Sequence, residues 1–339
     1  FQRKKSNSFS GESLQLFSTG REAVFALLQH PEFQNIPDKN VLLPAMLPEG
    51  LYYPFQKCGW TITLYNLDQS GHPLWNEIPV KQPFTIAVLI HLFGQIRDAA
   101  KFKSLLQPCL YLPNYSFHQH PGDLFLLSLT KLIGLPDGAL VLINNENIRL
   151  NPPKKSSTSK FLYRSFNSLS LLHFTIQHKW PLPFGQQALK YLGTLCYIMA
   201  YKILMRHCHR PHAISRISRF LFSHIDLTAI AAKRIQFARL YLEQLDNPNI
   251  SFSPELPNLP IIGFPVFCKH RARLIEHLEK SGIHPTVFSE GWNFIPLHQK
   301  ELFQSSLHLL DNHLLLPLHQ KLNRKDIETI IHSINSFKP

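Results

Sequence analysis

A lysine at the end of an apolar strand can be turned into a nucleophile by its surroundings. Lys131 has that place, preceded by Leu126 and Leu127 and followed by Leu132 and Ile133. Desolvation lowers a lysine's pKa and leaves the amine able to attack a carbonyl carbon. Ser128 and Thr130 beside it are able to hydrogen-bond a phosphate oxygen. Taken alone, the same residues also describe a surface lysine at a turn. A second candidate is Ser18-Thr19-Gly20-Arg21, small residues leading into a helix whose first N–H groups can hold a phosphate. Those residues equally make an ordinary N-cap. Two more loops follow apolar runs, His91-Leu92-Phe93-Gly94-Gln95 and Pro113-Asn114-Tyr115-Ser116-Phe117-His118. An imidazole or aromatic ring there can face a flat cofactor, or belong to a capped turn with a core histidine. His207, Cys208, His209 and His212 are near neighbours. Ligands that close together rarely complete a tetrahedral metal site, so the cluster reads as a basic, solvated helix end and no metal is expected.

The elements that must position these residues are legible in the same chain. Residues 20–30 form a helical pattern with Ala23, Val24, Leu27 and Leu28 on one face. Short apolar runs at 40–43, 61–65, 86–90, 109–112, 124–127 and 139–143 read as strands. Helical segments from Pro48 and over 97–106 fall between them. Strands spaced by helices argue for βαβ units and a mainly parallel sheet, whose ligands bind where strands end. Residues 151–159 are a polar break, and 225–245 a long helical pattern. Residues 251–260 hold three prolines and read as a linker. An α+β alternation closes the chain: a strand at 261–267, a helix at 269–281, an apolar run ending at Pro317 and a helix at 324–334.

The 339 residues, 44% hydrophobic and 17% charged, can fill a large core. The expectation is a large domain over 1–245, with a basic helical insertion at about 150–215, and a small α+β domain over 246–339. Five scattered cysteines with no CxxC pair give neither a disulfide framework nor a zinc site. The net charge of +13 is uneven, because 151–220 holds eleven Lys or Arg and no acidic residue. Such a block attracts phosphates, nucleic acid, anionic lipid or another partner, or is a solvated face. No motif supports specific nucleic-acid readout. The polar N-terminus lacks an apolar leader, and 188–205, interrupted by Lys190 and Lys202, reads as a buried or interfacial helix rather than a span. A cytoplasmic protein is expected.

In their order along the chain these pieces resemble the DegT–StrS sugar aminotransferases, fold-type I pyridoxal-phosphate enzymes. FSTGREAVFALL is similar to that family's phosphate-binding turn and helix, and NVLLPAMLPEGLYYPFQKCGWTITLYNLD to the helix and strand that follow. AVLIHLFGQIRDAAKF resembles its HLYGxPxDMxxI motif, SLTKLIGLPDGALVLIN its lysine loop, and HLLLPLHQKLNRKDIETIIHSI its LPxHxxLxxxDxxxII segment. The likeness covers most of the chain outside roughly 145–215. It implies an α/β fold with a mainly parallel central sheet, flanking helices and a small α+β C-terminal domain. It further implies pyridoxal 5'-phosphate as cofactor, Lys131 as the Schiff-base lysine, Gly20 and Arg21 in the phosphate turn, and Ser128, His91 and Asn114 as cofactor contacts. Two positions depart from the pattern. The family has an acidic residue where Asn114 stands, and an amide stabilises a protonated pyridine nitrogen less well than a carboxylate does. The family commonly has a serine five residues before the lysine, where this chain has Leu126. The segment Ala45-Met46-Leu47 offers no ring to stack on the cofactor.

The implied function is amino transfer from a donor, glutamate by family analogy, to a keto-sugar, nucleotide-linked, in a homodimer. The anionic nucleotide would meet the basic segment, with Arg97, Arg164 and Arg206 as candidates. The alternatives are a catalytically impaired relative acting as a binding or scaffold protein, and another reaction of the same cofactor such as dehydration.

Overall fold

The computed structural model describes residues 13–78, 84–90, 92–94, 110–114, 124–143, 150, 158–179, 186–253, 261–288 and 290–339. In chain order the strands are β1 (Ser13–Phe17), β2 (Asn40–Pro44), β3 (Thr61–Tyr65), β4 (Ile86–Ile90), β5 (Leu110–Asn114), β6 (Leu124–Ser128), β7 (Ala139–Ile143), β8 (Gly263–Phe267) and β9 (His313–Pro317). The α-helices are α1 (Gly20–Leu28), α2 (Pro31–Gln34), α3 (Glu49–Lys57), α4 (Leu129–Leu132), α5 (Thr158–Lys179), α6 (Gln186–His207), α7 (Arg216–His224), α8 (Leu227–Gln244), α9 (Arg271–Lys280), α10 (Gln304–Asn312) and α11 (Arg324–Asn335). The chain forms two compact units, each discontinuous in sequence: residues 1–36 with 126–225, and 37–125 with 226–339.

The second unit holds the parallel strands. β2 pairs β3 from Asn40↔Thr61 to Pro44↔Tyr65, β2 pairs β4, and β4 pairs β5 from Ile86↔Leu110 to Ile90↔Asn114, all parallel. Every residue of β4 is buried, as are four of the five in β2. Continuous apolar runs such as IAVLI are what strands covered on both faces require. The same unit carries the antiparallel pair β8–β9, in register from Gly263↔Pro317 to Phe267↔His313. Phe264, Val266, Leu314 and Leu316 of that pair share a core with Tyr241 of α8, Leu274 of α9 and Ile327, Ile331 and Ile334 of α11.

The first unit is built on β1 and β7, antiparallel from Ser13↔Ile143 to Phe17↔Ala139. Sequence periodicity did not single out β1, whose five residues SLQLF sit between polar neighbours. α1 follows β1 directly, and β6 leads into the one-turn helix α4 that carries Lys131. α5 and α6, each of 22 residues, pack against one another. Where they meet, Ser170 Oγ donates to the Gly193 carbonyl at 2.8 Å. The strand expected at 109–112 is found at Leu110–Asn114. The helix expected at 97–106 and His91 lie outside the described residues.

Candidate cofactor-lysine site

Three segments of the first unit meet through their backbones. The Gly138 N–H donates to the Ser18 carbonyl at 2.7 Å, and the Leu129 N–H donates to the Gly138 carbonyl at 3.1 Å. The turn before α1, the Pro136-Asp137-Gly138 turn and the lysine helix α4 are thereby fixed to one another. Only glycine serves at 138. Its φ is +141°, and a Cβ there would come within 2.9 Å of Ile214 and 3.3 Å of Leu129.

Lys131 leaves α4 with its side chain exposed. Desolvation nonetheless brings the pKa of its amine below the ordinary lysine value. Leu129 and Leu132 on the same helix are buried. Ser128 and Thr130 hydroxyls share a hydrogen bond of 3.1 Å beside it.

The turn before α1 divides its hydroxyls between two tasks. Thr19 is the N-cap, its Oγ1 accepting from the Glu22 N–H at 3.3 Å. Ser18 is fully buried, and its Oγ has no hydrogen-bond partner. An orphaned buried hydroxyl is costly, about 1–3 kcal/mol, unless a ligand or water satisfies it. A phosphate at this helix start would do so, and the dipole of a nine-residue helix favours an anion there. The residues present therefore fit a phosphorylated carbonyl cofactor: a desolvated amine, an unsatisfied hydroxyl and a helix N-terminus, tied together by two backbone bonds. One neighbour fits less well. A Cβ on Gly20 would touch Leu126 at 3.7 Å. Leu126 thus lies beside the turn before α1 and brings methyl groups there, where the family resemblance would have a hydroxyl.

Arg21 is buried, and its guanidinium turns toward α6, donating to Met205 Sδ and lying 5.7 Å from the Tyr201 ring centroid. Asn114 ends β5 opposite Ile90 in the other unit and is described by its backbone alone. Nearby in sequence, Phe93 has φ +59° and packs its ring near Phe267, Phe288 and His313. Ala45, Met46 and Leu47 are buried. Of the arginines named for a nucleotide, Arg97 is outside the described residues and Arg206 is exposed. Arg164 is engaged structurally: its Nε donates to Asp137 Oδ2 at 2.7 Å and its Nη2 to the Ala213 carbonyl at 3.2 Å.

Two buried acids behind the turns escaped the sequence reading. Asp137 accepts from Arg164, from the Ser215 N–H (3.0 Å) and hydroxyl (2.7 Å), and from Ser218 Oγ (2.5 Å). Glu22, completely buried, pairs with Lys160 and accepts from His212 Nδ1 at 3.3 Å. The basic segment has no acids of its own, so its inward cations had to find them elsewhere. Lys160 and Arg164, one turn apart on α5, reach Glu22 and Asp137. His212 and Cys208 are buried, so the segment 207–212 is not simply a solvated helix end. Among the described residues no group of three His, Cys, Asp or Glu is placed to hold a metal ion.

No protein-family model matches the chain, and no curated protein matches it in sequence. Solved structures do match in fold. The sugar aminotransferase CalS13 from Micromonospora echinospora superposes with a TM-score of 0.65 at 12% identity, covering 95% of this chain and 87% of that one. A DegT DnrJ EryC1 StrS aminotransferase from Brucella abortus gives 0.61 at 14% identity, covering 96% and 86%. Spr1654 from Streptococcus pneumoniae in its PMP form gives 0.62 at 11% identity, covering 95% and 87%. The chain has the fold of the sugar aminotransferases, the fold-type I architecture that its order of motifs led us to expect.

Proposed function

We propose that this protein is a pyridoxal-phosphate-dependent aminotransferase that moves an amino group to a keto-sugar, nucleotide-linked, with Lys131 as the cofactor lysine. One observation carries the reading: Lys131, with its lowered pKa, sits on a helix bonded through Gly138 to the buried, unsatisfied Ser18 of the phosphate turn. The relative Spr1654 has been solved in PLP, PMP and apo forms, which supports the cofactor. When bound, the cofactor supplies a carbonyl for amine exchange and a ring that draws electrons from the reacting carbon. Lys131 contributes an amine whose neutral form is favoured by desolvation, first as nucleophile and then as the group that holds or moves a proton at Nζ. Ser18 Oγ and the start of α1 would hold the phosphate, and the family resemblance assigns Asn114 to the pyridine nitrogen. Glutamate serves as donor, and the enzyme works as a cytoplasmic homodimer.

The test is cofactor capture. The purified chain is incubated with pyridoxal phosphate, reduced with borohydride and mapped by mass spectrometry. The cofactor is expected on the Lys131 peptide, with uptake lost in Lys131→Ala. A chain that captures none, or captures it equally at other lysines, overturns the reading. Leu126 at the turn and the neutral Asn114 favour a second reading, an impaired relative that binds the cofactor but turns over poorly. The double variant Leu126→Ser, Asn114→Asp separates the two. A gain of about tenfold or more in amino transfer, worth about 1.4 kcal/mol of barrier, marks the natural chain as impaired. An unchanged rate from an active natural chain removes that reading.

A further inference from the structure

We propose that the outer face of the α5–α6 pair docks on an anionic phospholipid bilayer, lying in its interface without crossing it. The evidence is which residues face solvent. On α6, Leu192, Leu195, Ile198 and Met199 are all exposed, and Tyr191 is 70% exposed. Leu192, Leu195 and Met199, then Lys202 and Arg206, recur at spacings of three and four, which puts them on one side of a helix. Lys202 and Arg206 are exposed as well. Gly193 and Ala200, off that side, are buried. α5 repeats the arrangement: Phe161, Leu162, Leu169 and Leu172 are exposed, while Lys160, Tyr163 and Ser170 are buried. α7 carries exposed Ile217, Phe220 and Leu221 among exposed Arg216 and Arg219. Long apolar side chains turned outward on helices are the reverse of what water selects, and together they mark a surface meant to be covered.

Charge selects the covering. Residues 151–220 carry eleven cations and no acid. Lys160 and Arg164 are used inside, but Lys202, Arg206, Arg210, Arg216 and Arg219 all reach solvent. A symmetric contact with a second copy would set this patch against itself and bring like charges together. Nucleic acid would satisfy the cations but leave the leucines and aromatic rings without partners. An anionic bilayer satisfies both, with headgroup phosphates for Lys and Arg and the acyl boundary for Leu, Ile and Phe. Among the described residues no helix is long and apolar enough to cross a membrane, which fits a pair of helices lying in the interface.

The full-length chain is floated with vesicles of equimolar phosphatidylglycerol and phosphatidylcholine, and with vesicles of phosphatidylcholine alone. Binding is expected to the first and to be at least about tenfold weaker to the second, since each surface cation contributes about fivefold. Leu195→Glu with Met199→Glu should abolish flotation, and Lys202→Glu with Arg206→Glu should weaken it about tenfold or more. Circular dichroism of each variant should match the natural chain, because all four positions are exposed. Absence of flotation with phosphatidylglycerol overturns the proposal, as does undiminished binding by either pair of variants. It is also overturned if light scattering shows an oligomer that Leu195→Glu, Met199→Glu dissolves, which would make the face a subunit contact. Cofactor capture at Lys131 is read separately, so the two readings stand or fall independently.

Discussion

Helices α11 and α6 sort their residues in opposite directions. α11 buries Ile327, Ile330, Ile331 and Ile334 and turns the Arg324–Glu328 pair outward. α6 turns Leu192, Leu195, Ile198 and Met199 outward. The units around them differ in the same sense. The core around α11 is aliphatic and aromatic. The unit around α5 and α6 also buries Glu22, Lys160, Asp137 and His212. The second unit gathers α11 into an apolar core. The first buries charge pairs beside an apolar core of its own, which includes Phe17, Phe25, Leu27 and Leu140, and also turns apolar residues outward on α5 and α6.

The sharpest way to break that comparison is Asp137→Ala. The substitution strands the Arg164 guanidinium and removes acceptors for Ser215 and Ser218. Removing one partner of a buried pair costs about 3–5 kcal/mol, and urea denaturation should show a loss of that size. A loss below about 1 kcal/mol, the value of an exposed pair, would mean the charge pairs do not hold the first unit together.

Acid should act on the other unit through His313. This imidazole is completely buried between α10 and Phe288. Its Nδ1 donates to the Leu309 carbonyl at 2.8 Å, and its Nε2 accepts from the Phe288 N–H at 3.1 Å, so the neutral ring is fully satisfied. Burial, reinforced by nearby Arg271, holds its pKa down at about 4 against an ordinary 6.5. The unfolded chain takes up the proton first, so this contribution is intact above about pH 6.5 and is lost as pH falls toward 4. The shift corresponds to about 3 kcal/mol. Unfolding followed across that window should show the loss, and His313→Gln should flatten it. An equal slope in the variant would assign the acid sensitivity to other groups.

Much of this was written locally in the chain. Residues 61–65, 86–90 and 139–143 are runs rich in β-branched residues and leucine, and they became β3, β4 and β7 with those bounds. Lys131 was visible because apolar residues flank it in sequence. What stayed hidden depends on distance along the chain. β1 is a strand because β7 offers it an edge more than a hundred residues later. Asp137 looked like part of a turn motif, and its four contacts come from Arg164, Ser215 and Ser218, which no local pattern connects to it. The outward face of α6 was hidden for a different reason. Periodicity finds an apolar stripe but does not say which side of the helix the protein covers.

The smallest effect tests whether α11 is as self-sufficient as it looks. Asn323 caps this helix, accepting from the Asp326 N–H at 3.0 Å, while Asp326 Oδ2 accepts from the Asn323 N–H at 2.8 Å. The reciprocal pair satisfies two otherwise unpaired backbone groups at the start of α11. Asn323→Ala should lower stability by about 1 kcal/mol in urea denaturation. Hydrogen exchange should quicken in the first turn of α11 and stay slow at Ile331 and Ile334, which the core holds. Faster exchange along the whole helix would show that the cap, and not the buried isoleucines, keeps α11 in place. The contrast with α6 would then rest on capping rather than on which face each helix buries.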